Sequence, residues 1–353
     1  MKIIHHYISK TVIGMTLLVL LMVAGLETLI AFLNELDDIN RYGYGIKQAT
    51  VYVFSSLPSM LYPLFPAVAL MGCLMGLGRL ATQSELIVIQ ASGVSKDQIA
   101  FSVMRAIIGM LLVVTFVGEG LAPKAQHFAE SYKMQAQTGN VIIGDRQGLW
   151  VHDSNNFIHI EKIVSNNQLQ SISRYQFDGT KLILASTARE GHYEQGHWVF
   201  SDIKESAFLP EHIKVQKIDK QIWPVYLDPD FIGIADINPD QASLLQLNRY
   251  IHYLHKSGLY AQSYKFEFWK RIFQPLAALV MVGLAIPFIF GPLRTKPMGF
   301  RILIGIMIGF GFYTFNEFIG PFSLLYQVPP LVSAGVPLLA FAIFDFVLLR
   351  GTP

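Results

Sequence analysis

Hydrophobicity constrains this chain more than any other feature, because it is concentrated in two blocks separated by a long polar stretch. Each block contains three apolar runs close to the ~20 residues that a helix needs to cross a bilayer. Three crossings before the polar stretch would place that stretch on the opposite side of the membrane from the N-terminus. The apolar runs are residues 11–33, 58–78, 99–121, 271–291, 302–321 and 331–349.

The composition agrees with several membrane spans. Only 15% of the 353 residues are charged, whereas soluble globular domains contain about 25%. The formal net charge of +2 is too small to indicate nucleic-acid binding. The single cysteine, Cys73, cannot form an intrachain disulfide, so a domain outside the membrane has to fold on its core alone.

Lys and Arg residues determine the predicted orientation, because loops rich in these residues stay on the cytoplasmic side. With six crossings and both termini in the cytoplasm, the cations that flank the spans fall on one side. Asp37, Asp38 and the polar region 122–265 fall on the other side, which is the periplasm in a bacterial cell. The cytoplasmic cations are Lys2, Lys10, Arg79, Lys96, Arg294, Lys296, Arg301 and Arg350.

Residues 122–265 are predicted to form a mostly β region between membrane domains 1–121 and 266–353. Short segments rich in Val, Ile, Phe, Tyr and Trp alternate with turn residues, which indicates a sandwich, jellyroll or open barrel. We therefore expect a membrane α-helical fold with six transmembrane helices (3+3) and an inserted all-β periplasmic jellyroll-like domain. Helices over 239–256 and from about Ala261 into the fourth span are also expected. The predicted strands are 149–151, 157–164, 169–177, 182–186, 198–203, 213–218 and 222–227.

The cytoplasmic turn after the second span, residues 79–98, is predicted to contain a short helix. Thr82 followed by Glu85 fits a capping box at its start, and Gly93 suits its C-terminal end. The apolar residues from Leu86 to Ile89 either lie against the chain's own membrane helices or dock into a groove of a cytoplasmic partner. Glu85 is then a cap, an ion-pair partner for an arginine of that protein, or both.

Ionisable side chains near the membrane are candidate functional residues. Glu27 lies within the first span and Glu119 near the outer end of the third, and carboxylates at such positions usually face a cavity or a partner. A basic group precedes the fourth span, where it either snorkels to ordinary lipid headgroups or attracts a phosphorylated amphiphile. This group is Lys265, Lys270 and Arg271, and Lys124 and Lys133 add positive charge on the same side.

Two pairs of glycines predict close approach of membrane helices, Gly72 with Gly76 and Gly305 with Gly309. The fifth span combines the second pair with bulky aromatic residues. These side chains either pack inside the protein or form a movable seam that faces acyl chains. They are Phe310, Phe312, Tyr313, Phe315 and Phe318.

Catalytic motifs are absent from the sequence. It contains no G-x-x-x-x-G-K-[ST] phosphate loop, no H-E-x-x-H zinc motif and no G-x-S-x-G nucleophile elbow. Any work done by this chain therefore requires energy from a partner or from an ion gradient. Two alternatives to a transporter subunit are an intramembrane lipid-modifying enzyme, with Glu27 or Glu119 as acid and base, and a structural adaptor that anchors the β domain.

Several local motifs resemble those of the LptF/LptG permease family of lipopolysaccharide export transporters. They occur in both membrane halves and in the polar region, so the resemblance spans nearly the whole chain. The turn that ends at residue 301 favours the LptG branch of this family over the LptF branch, which has the same layout. The motifs are GLGRLATQSELIVIQASG at 76–93, GEGLAP at 118–123, QGLWVHDSNNFIHIE at 147–161, YLHKSG at 253–258, IFQPL at 272–276 and FIFGPLRTKPMGFR at 288–301.

The resemblance implies a non-catalytic permease subunit of the bacterial inner membrane with no cofactor of its own. Its partners would be an LptF-type permease, a dimer of an LptB-type ATPase that binds ATP and Mg²⁺, and an LptC-type single-span protein. The complex would extract lipopolysaccharide from the inner membrane and pass it to a periplasmic bridge toward the outer membrane. The first and fifth spans would form gates with their counterparts in the partner permease.

The resemblance also implies roles for individual residues. Residues 84–93 would be a coupling helix to the ATPase, with Glu85 as its acidic contact and Ser84, Leu86 and Ile89 beside it. Residues 140–227 would be a jellyroll trough for acyl chains, followed by a helical return segment at 239–265. Some family members carry lysines where this chain has Ala31 and then Asp37 and Asp38, so we expect phosphate contacts elsewhere. The expected headgroup residues are Arg41, Lys47, Lys133, Lys265, Lys270 and Arg271, and the expected gate or acyl-chain residues are Ala31, Phe310, Tyr313 and Phe318.

Overall fold

The computed structural model of the chain describes residues 2–39, 44–138, 149–153, 156–165, 167–179, 181–194, 196–209, 212–223, 239–256, 261–290 and 297–351. It divides into two compact units. We call residues 1–37, 50–127 and 262–353 the membrane unit, and residues 38–49 and 128–261 the β unit. The domain boundaries assigned from the sequence remain predictions.

Among the described residues, six helices are long and apolar enough to cross a membrane, which confirms the six predicted spans. A π-helical turn, Val117–Leu121, joins α4 to α5, so that Lys96–Lys133 runs as one continuous span. The spanning helices are α1 (Lys2–Glu35), α2 (Ile46–Thr82), α4 (Lys96–Phe116), α7 (Gln262–Phe290), α8 (Met298–Leu325) and α9 (Pro330–Gly351). The shorter helices are α3 (Glu85–Ala91), α5 (Ala122–Thr138) and α6 (Leu244–Lys256).

Glycines allow two helices to approach α2 closely, as the paired spacing predicts. A Cβ on Gly72 would lie 2.5 Å from the Cα of Thr16 in α1, so no larger residue fits there. A Cβ on Gly309 of α8 would lie 2.8 Å from the Cβ of Ala67 in α2. Because lipid tails are as apolar as leucine, such backbone-to-backbone packing supplies much of the attraction between membrane helices. The first and fifth spans therefore both pack on α2.

The glutamine of the IFQPL motif repairs a proline defect in α2. Pro66 has no N–H, so the carbonyl of Tyr62 four residues earlier lacks its helical donor. Gln274 of α7 is buried and donates from Nε2 to the Tyr62 carbonyl at 3.0 Å and to the Pro63 carbonyl at 3.1 Å. Without water in the hydrocarbon region, an unsatisfied carbonyl would be costly. This side chain therefore holds α7 against the interrupted middle of α2.

The described residues of the β unit form a six-stranded antiparallel sheet whose strands follow sequence order, which confirms the inserted β domain. The last two strands were predicted separately, at 213–218 and 222–227, and this prediction is wrong. Residues 213–222 form a single strand, and residues 224–227 lie outside the described residues. The helix predicted from residue 239 begins only at Leu244, where the Ser243 hydroxyl accepts from the Gln246 N–H and caps it. The strands are β1 (Leu149–Asp153), β2 (Asn156–Ser165), β3 (Gln168–Asp178), β4 (Lys181–Glu194), β5 (His197–Phe208) and β6 (Ile213–Ile222).

One face of the sheet is covered by aromatic side chains and crossed by a row of polar ones. Trp223 stacks on Phe200, with ring centroids 4.2 Å apart, and also lies over the guanidinium of Arg174. In register across the next strands, Ser186 donates to Glu205, which in turn accepts from Gln216. Burial lowers the pKa of Arg174, and the nearby Glu205 carboxylate opposes that shift. The face is therefore not uniformly apolar.

Replacing Gln274 with leucine tests the proline repair. We expect Gln274→Leu to lower the free energy of unfolding by about 1–3 kcal/mol, because it leaves the Tyr62 carbonyl unsatisfied. In a Pro66→Ala background, the restored N–H donates to that carbonyl, so the same substitution should cost less. Unfolding in detergent micelles measures both losses. Equal losses in the two backgrounds would contradict this account.

Candidate coupling helix and lipid-facing surfaces

The short cytoplasmic helix predicted from the sequence is α3, and it has two different faces. Leu86 and Ile89 are buried in the core of the membrane unit, whereas Ile87 and Val88 are 49% and 67% exposed. Packing against the chain's own membrane helices, one of the two alternatives left open by the sequence, therefore holds for one face, and docking onto a partner stays a prediction for the other. Because Leu86 and Ile89 pack against this chain, the apolar surface that a partner could contact consists of Ile87 and Val88.

The capping box predicted at Thr82 and Glu85 is wrong. Thr82 still belongs to α2 and donates its hydroxyl to the Gly78 carbonyl at 2.8 Å. The residue before α3 is Ser84, which has a φ of 60° and makes no side-chain cap. Gly93, with a φ of 92°, follows the helix as expected. A capping box does occur at the start of the next helix, α4, between Ser95 and Gln98.

Glu85 makes an intrachain contact. Its carboxylate accepts a hydrogen bond of 2.8 Å from the hydroxyl of Tyr7 in α1. The contact is exposed, so the carboxylate also remains accessible at the surface of the membrane unit. Glu85 therefore connects α3 to the first span, and its role as a contact to a partner remains a prediction.

Three of the six predicted headgroup residues form ion pairs. Lys270 contacts Glu267 at 3.3 Å and Glu317 of α8 at 2.8 Å. Arg271 contacts Glu119 of the π-helical turn at 3.0 Å. In the β unit, Lys133 contacts Asp38 at 2.9 Å. Of the others, Lys47 is exposed, Lys265 is half-buried and Arg41 lies outside the described residues.

These ion pairs make it harder for the cations to bind a lipid phosphate. The side chains of Arg271 and Glu119 are only 10% and 18% exposed, so their attraction is weakly screened by water. An incoming phosphate would have to replace a carboxylate that is already in place. The structure thus gives Lys270 and Arg271 an intrachain role, which holds α7 to α8 and to the π-helical turn.

The predicted gate residues differ in exposure. Phe310 and Phe318 of α8 are 67% and 74% exposed, and Tyr313 is 38% exposed. Ala31, by contrast, is buried. The exposed aromatic side chains give α8 a face that can contact acyl chains or another helix.

The sequence did not indicate an apolar cavity of about 590 Å³ among α1, α2 and α4. Leu17, Phe54, Leu61, Met110 and Val113 are among its lining residues. None of the predicted gate residues lines it. Its wall comes from three separate spans, and each side chain has the ordinary composition of a membrane helix, so no local pattern marks it.

Comparisons with known proteins match nearly the whole chain to one family. Residues 6–351 match the family model described as lipopolysaccharide export system permease LptF/LptG. The lipopolysaccharide export system permease protein LptG of Escherichia coli K12 is 36% identical over 351 residues, which cover 98% of each chain. The protein of the same description from Haemophilus influenzae is 30% identical over 349 residues, again 98% of each.

A double-mutant cycle tests whether Arg271 acts as an ion-pair partner of Glu119 and not only as a headgroup contact. We expect Glu119→Gln and Arg271→Gln each to destabilise the protein by about 3–5 kcal/mol, because each leaves one charge buried without its partner. The double variant should lose less than the sum. Thermal unfolding in detergent measures the losses.

The exposed Lys47→Gln is the control and should change stability by less than about 0.5 kcal/mol. Strictly additive losses at positions 119 and 271 would show that the ion pair does not hold the two spans together.

Proposed function

The chain belongs to the LptF/LptG permease family of lipopolysaccharide export systems, and we propose that it works as the transmembrane subunit of an ABC transporter. In this role it extracts lipopolysaccharide from the inner membrane and passes it to a periplasmic bridge toward the outer membrane. The observation that carries the proposal is the full-length family match, combined with a short helix that presents exposed apolar residues beside the membrane spans. A separate cytoplasmic ATPase supplies the energy.

The proposed complex has four kinds of protein. An LptF-type permease pairs with this chain, an LptB-type ATPase dimer binds α3, and an LptC-type protein adds a single span. ATP and Mg²⁺ belong to the ATPase, because this sequence contains no phosphate-binding loop. The exposed faces of Ile87 and Val88 suit an apolar groove on that partner.

The proposed orientation places both termini and α3 in the cytoplasm and the β unit in the periplasm. The distribution of Lys and Arg supports it, since the first span, the α3 turn and the C-terminus all carry cations. The assignment places the exposed face of α3 on the side where ATP is available.

The exposed surfaces of α1 and α8 support a gate at these helices. Only 17% of the apolar stretch of each is buried within the chain, against 61% for α2. Faces of this kind need lipid or another protein to cover them. We propose that the partner permease and the acyl chains of lipopolysaccharide cover them alternately, with Phe310, Tyr313 and Phe318 on the moving side.

We assign the lipid headgroup contacts according to which cations are paired with carboxylates. We propose Lys47 and Lys265 as phosphate contacts available in this arrangement, and Lys133, Lys270 and Arg271 as contacts that form only when their carboxylate partners are displaced. The enzyme alternative has less support, because Glu119 is already paired with Arg271.

Substitution on the exposed face of α3 tests the proposed ATPase contact. We expect Val88→Asp to weaken binding of the ATPase dimer by about tenfold or more, because a charge would enter an apolar interface. Val88→Thr keeps the shape without the charge and is the matched control. Binding to the purified permease pair is measured by titration.

Leu86→Asp shows the difference between the two faces of α3. It should destabilise the membrane unit itself, because Leu86 is buried. Unchanged ATPase binding by a folded Val88→Asp variant would contradict the proposed contact.

A further inference from the structure

A buried arginine joins the fifth span to the end of α2. Arg301 lies in the first turn of α8 and is 1% exposed. Its guanidinium donates to the carbonyl of Gly78 and, at 3.0 Å, to the hydroxyl of Thr82. The Thr82 hydroxyl also donates to the Gly78 carbonyl, so the three groups form one connected cluster. We call Arg301, Gly78 and Thr82 the α2–α8 junction.

The location of the junction explains its chemistry. The carbonyls near the C-terminal end of a helix carry the negative end of the helix dipole, which attracts a cation. Arg301 donates to both acceptors from the same terminal nitrogen, Nη1. Gly78 makes room for it, since a Cβ there would lie 2.8 Å from a terminal nitrogen of Arg301 and 3.0 Å from its Cδ.

The junction is directly connected to α3. Thr82 is the last residue of α2, and α3 begins at Glu85. After the two residues that join α2 to α3, Glu85 contacts Tyr7 of α1. A force applied to α3 therefore acts on the first span through the Glu85–Tyr7 contact and on the fifth span through Arg301.

The rest of the α8 contact with α2 has a different character. Beyond Arg301, α8 meets α2 through small residues, where Gly305 faces Met71 and Leu74, and Gly309 faces Ala67. Such contacts are apolar and have no directional hydrogen bonds. At the far end of α8, Glu317 pairs with Lys270 of α7. Arg301 thus supplies a directional attachment at the α3 end of this interface.

We infer that Arg301 is the positioning residue that transmits movement of α3 to the fifth span, through its contacts with Gly78 and Thr82. The inference rests on the proposed function, in which an ATPase moves α3 and α8 belongs to the lipid gate. When α3 shifts, the end of α2 shifts with it, and the guanidinium moves the first turn of α8 by the same amount. Without the guanidinium, the ATPase moves α3 while α8 stays behind.

The test uses the complete transporter in proteoliposomes that contain lipopolysaccharide, with its ATPase and partner permease. ATP hydrolysis and ATP-dependent release of lipopolysaccharide to a soluble acceptor are measured on the same samples. We expect Arg301→Gln to lower the lipid released per ATP by about tenfold, because a hydrogen-bonded buried cation is lost, while ATP hydrolysis continues. Arg301→Lys should retain an intermediate ratio, because it keeps a charged donor but changes its position relative to Gly78 and Thr82.

Two further variants keep the test independent of folding at position 301. Gly78→Ala displaces the guanidinium without changing any charge, and Thr82→Val removes one acceptor without changing the size of the side chain. Both should lower the ratio in the same direction as Arg301→Gln. The controls are Gly299→Ala, whose added Cβ meets nothing within 4 Å, and Arg350→Gln on α9. These controls should keep the wild-type ratio.

The outcomes separate this inference from the proposed function. If assembled Arg301→Gln, Gly78→Ala and Thr82→Val complexes all release the wild-type amount of lipid per ATP, the junction does not transmit movement. If the variants lose hydrolysis and release in equal proportion, the junction is only structural and the inference is also overturned. If the wild-type complex itself releases no lipopolysaccharide with ATP, the proposed function fails instead.

Discussion

The membrane unit depends on the close packing of other helices against α2. Hydrocarbon provides neither a hydrophobic force between helices nor water for free carbonyls, so contact has to come from small residues and from polar side chains that satisfy the backbone. In α2, Gly72 admits α1, Ala67 receives Gly309 of α8, and the carbonyl freed by Pro66 receives Gln274 of α7. Because α3 follows shortly after the last turn of α2, the helix that organises the spans also leads to the proposed ATPase contact.

Two cations near the start of α7 are paired with carboxylates of this chain. Arg271 pairs with Glu119, and Lys270 with Glu267 and Glu317, so these cations join spans in the absence of lipid. In a family whose substrate is phosphorylated, such pairs set a threshold, because a phosphate has to compete with a carboxylate at short range.

Hydropathy and local patterns were sufficient for the spans, the β region and the glycine contacts. The strength of these signals has a physical reason, since a span needs a long apolar run and a close crossing needs glycine. Other features needed the tertiary structure. Thr82 and Glu85 have the spacing of a capping box, but α2 continues through Thr82, and the hydroxyl bonds backward instead. The partners of Gln274 and Arg271 are 212 and 152 residues away, so no local pattern reveals them. For α3, the sequence indicated an apolar helix but not that Leu86 and Ile89 point inward.

The account makes one central claim, that lipid passes along the exposed face of α8 while the ATPase acts through α3. Photocrosslinking from this face in the assembled transporter tests it most directly. A crosslinking residue at position 313 or 318 should label lipopolysaccharide in a manner that depends on ATP, whereas one at position 271 should label it at the outer mouth. Labelling from position 271 with none from positions 313 and 318, in any nucleotide state, would contradict the claim.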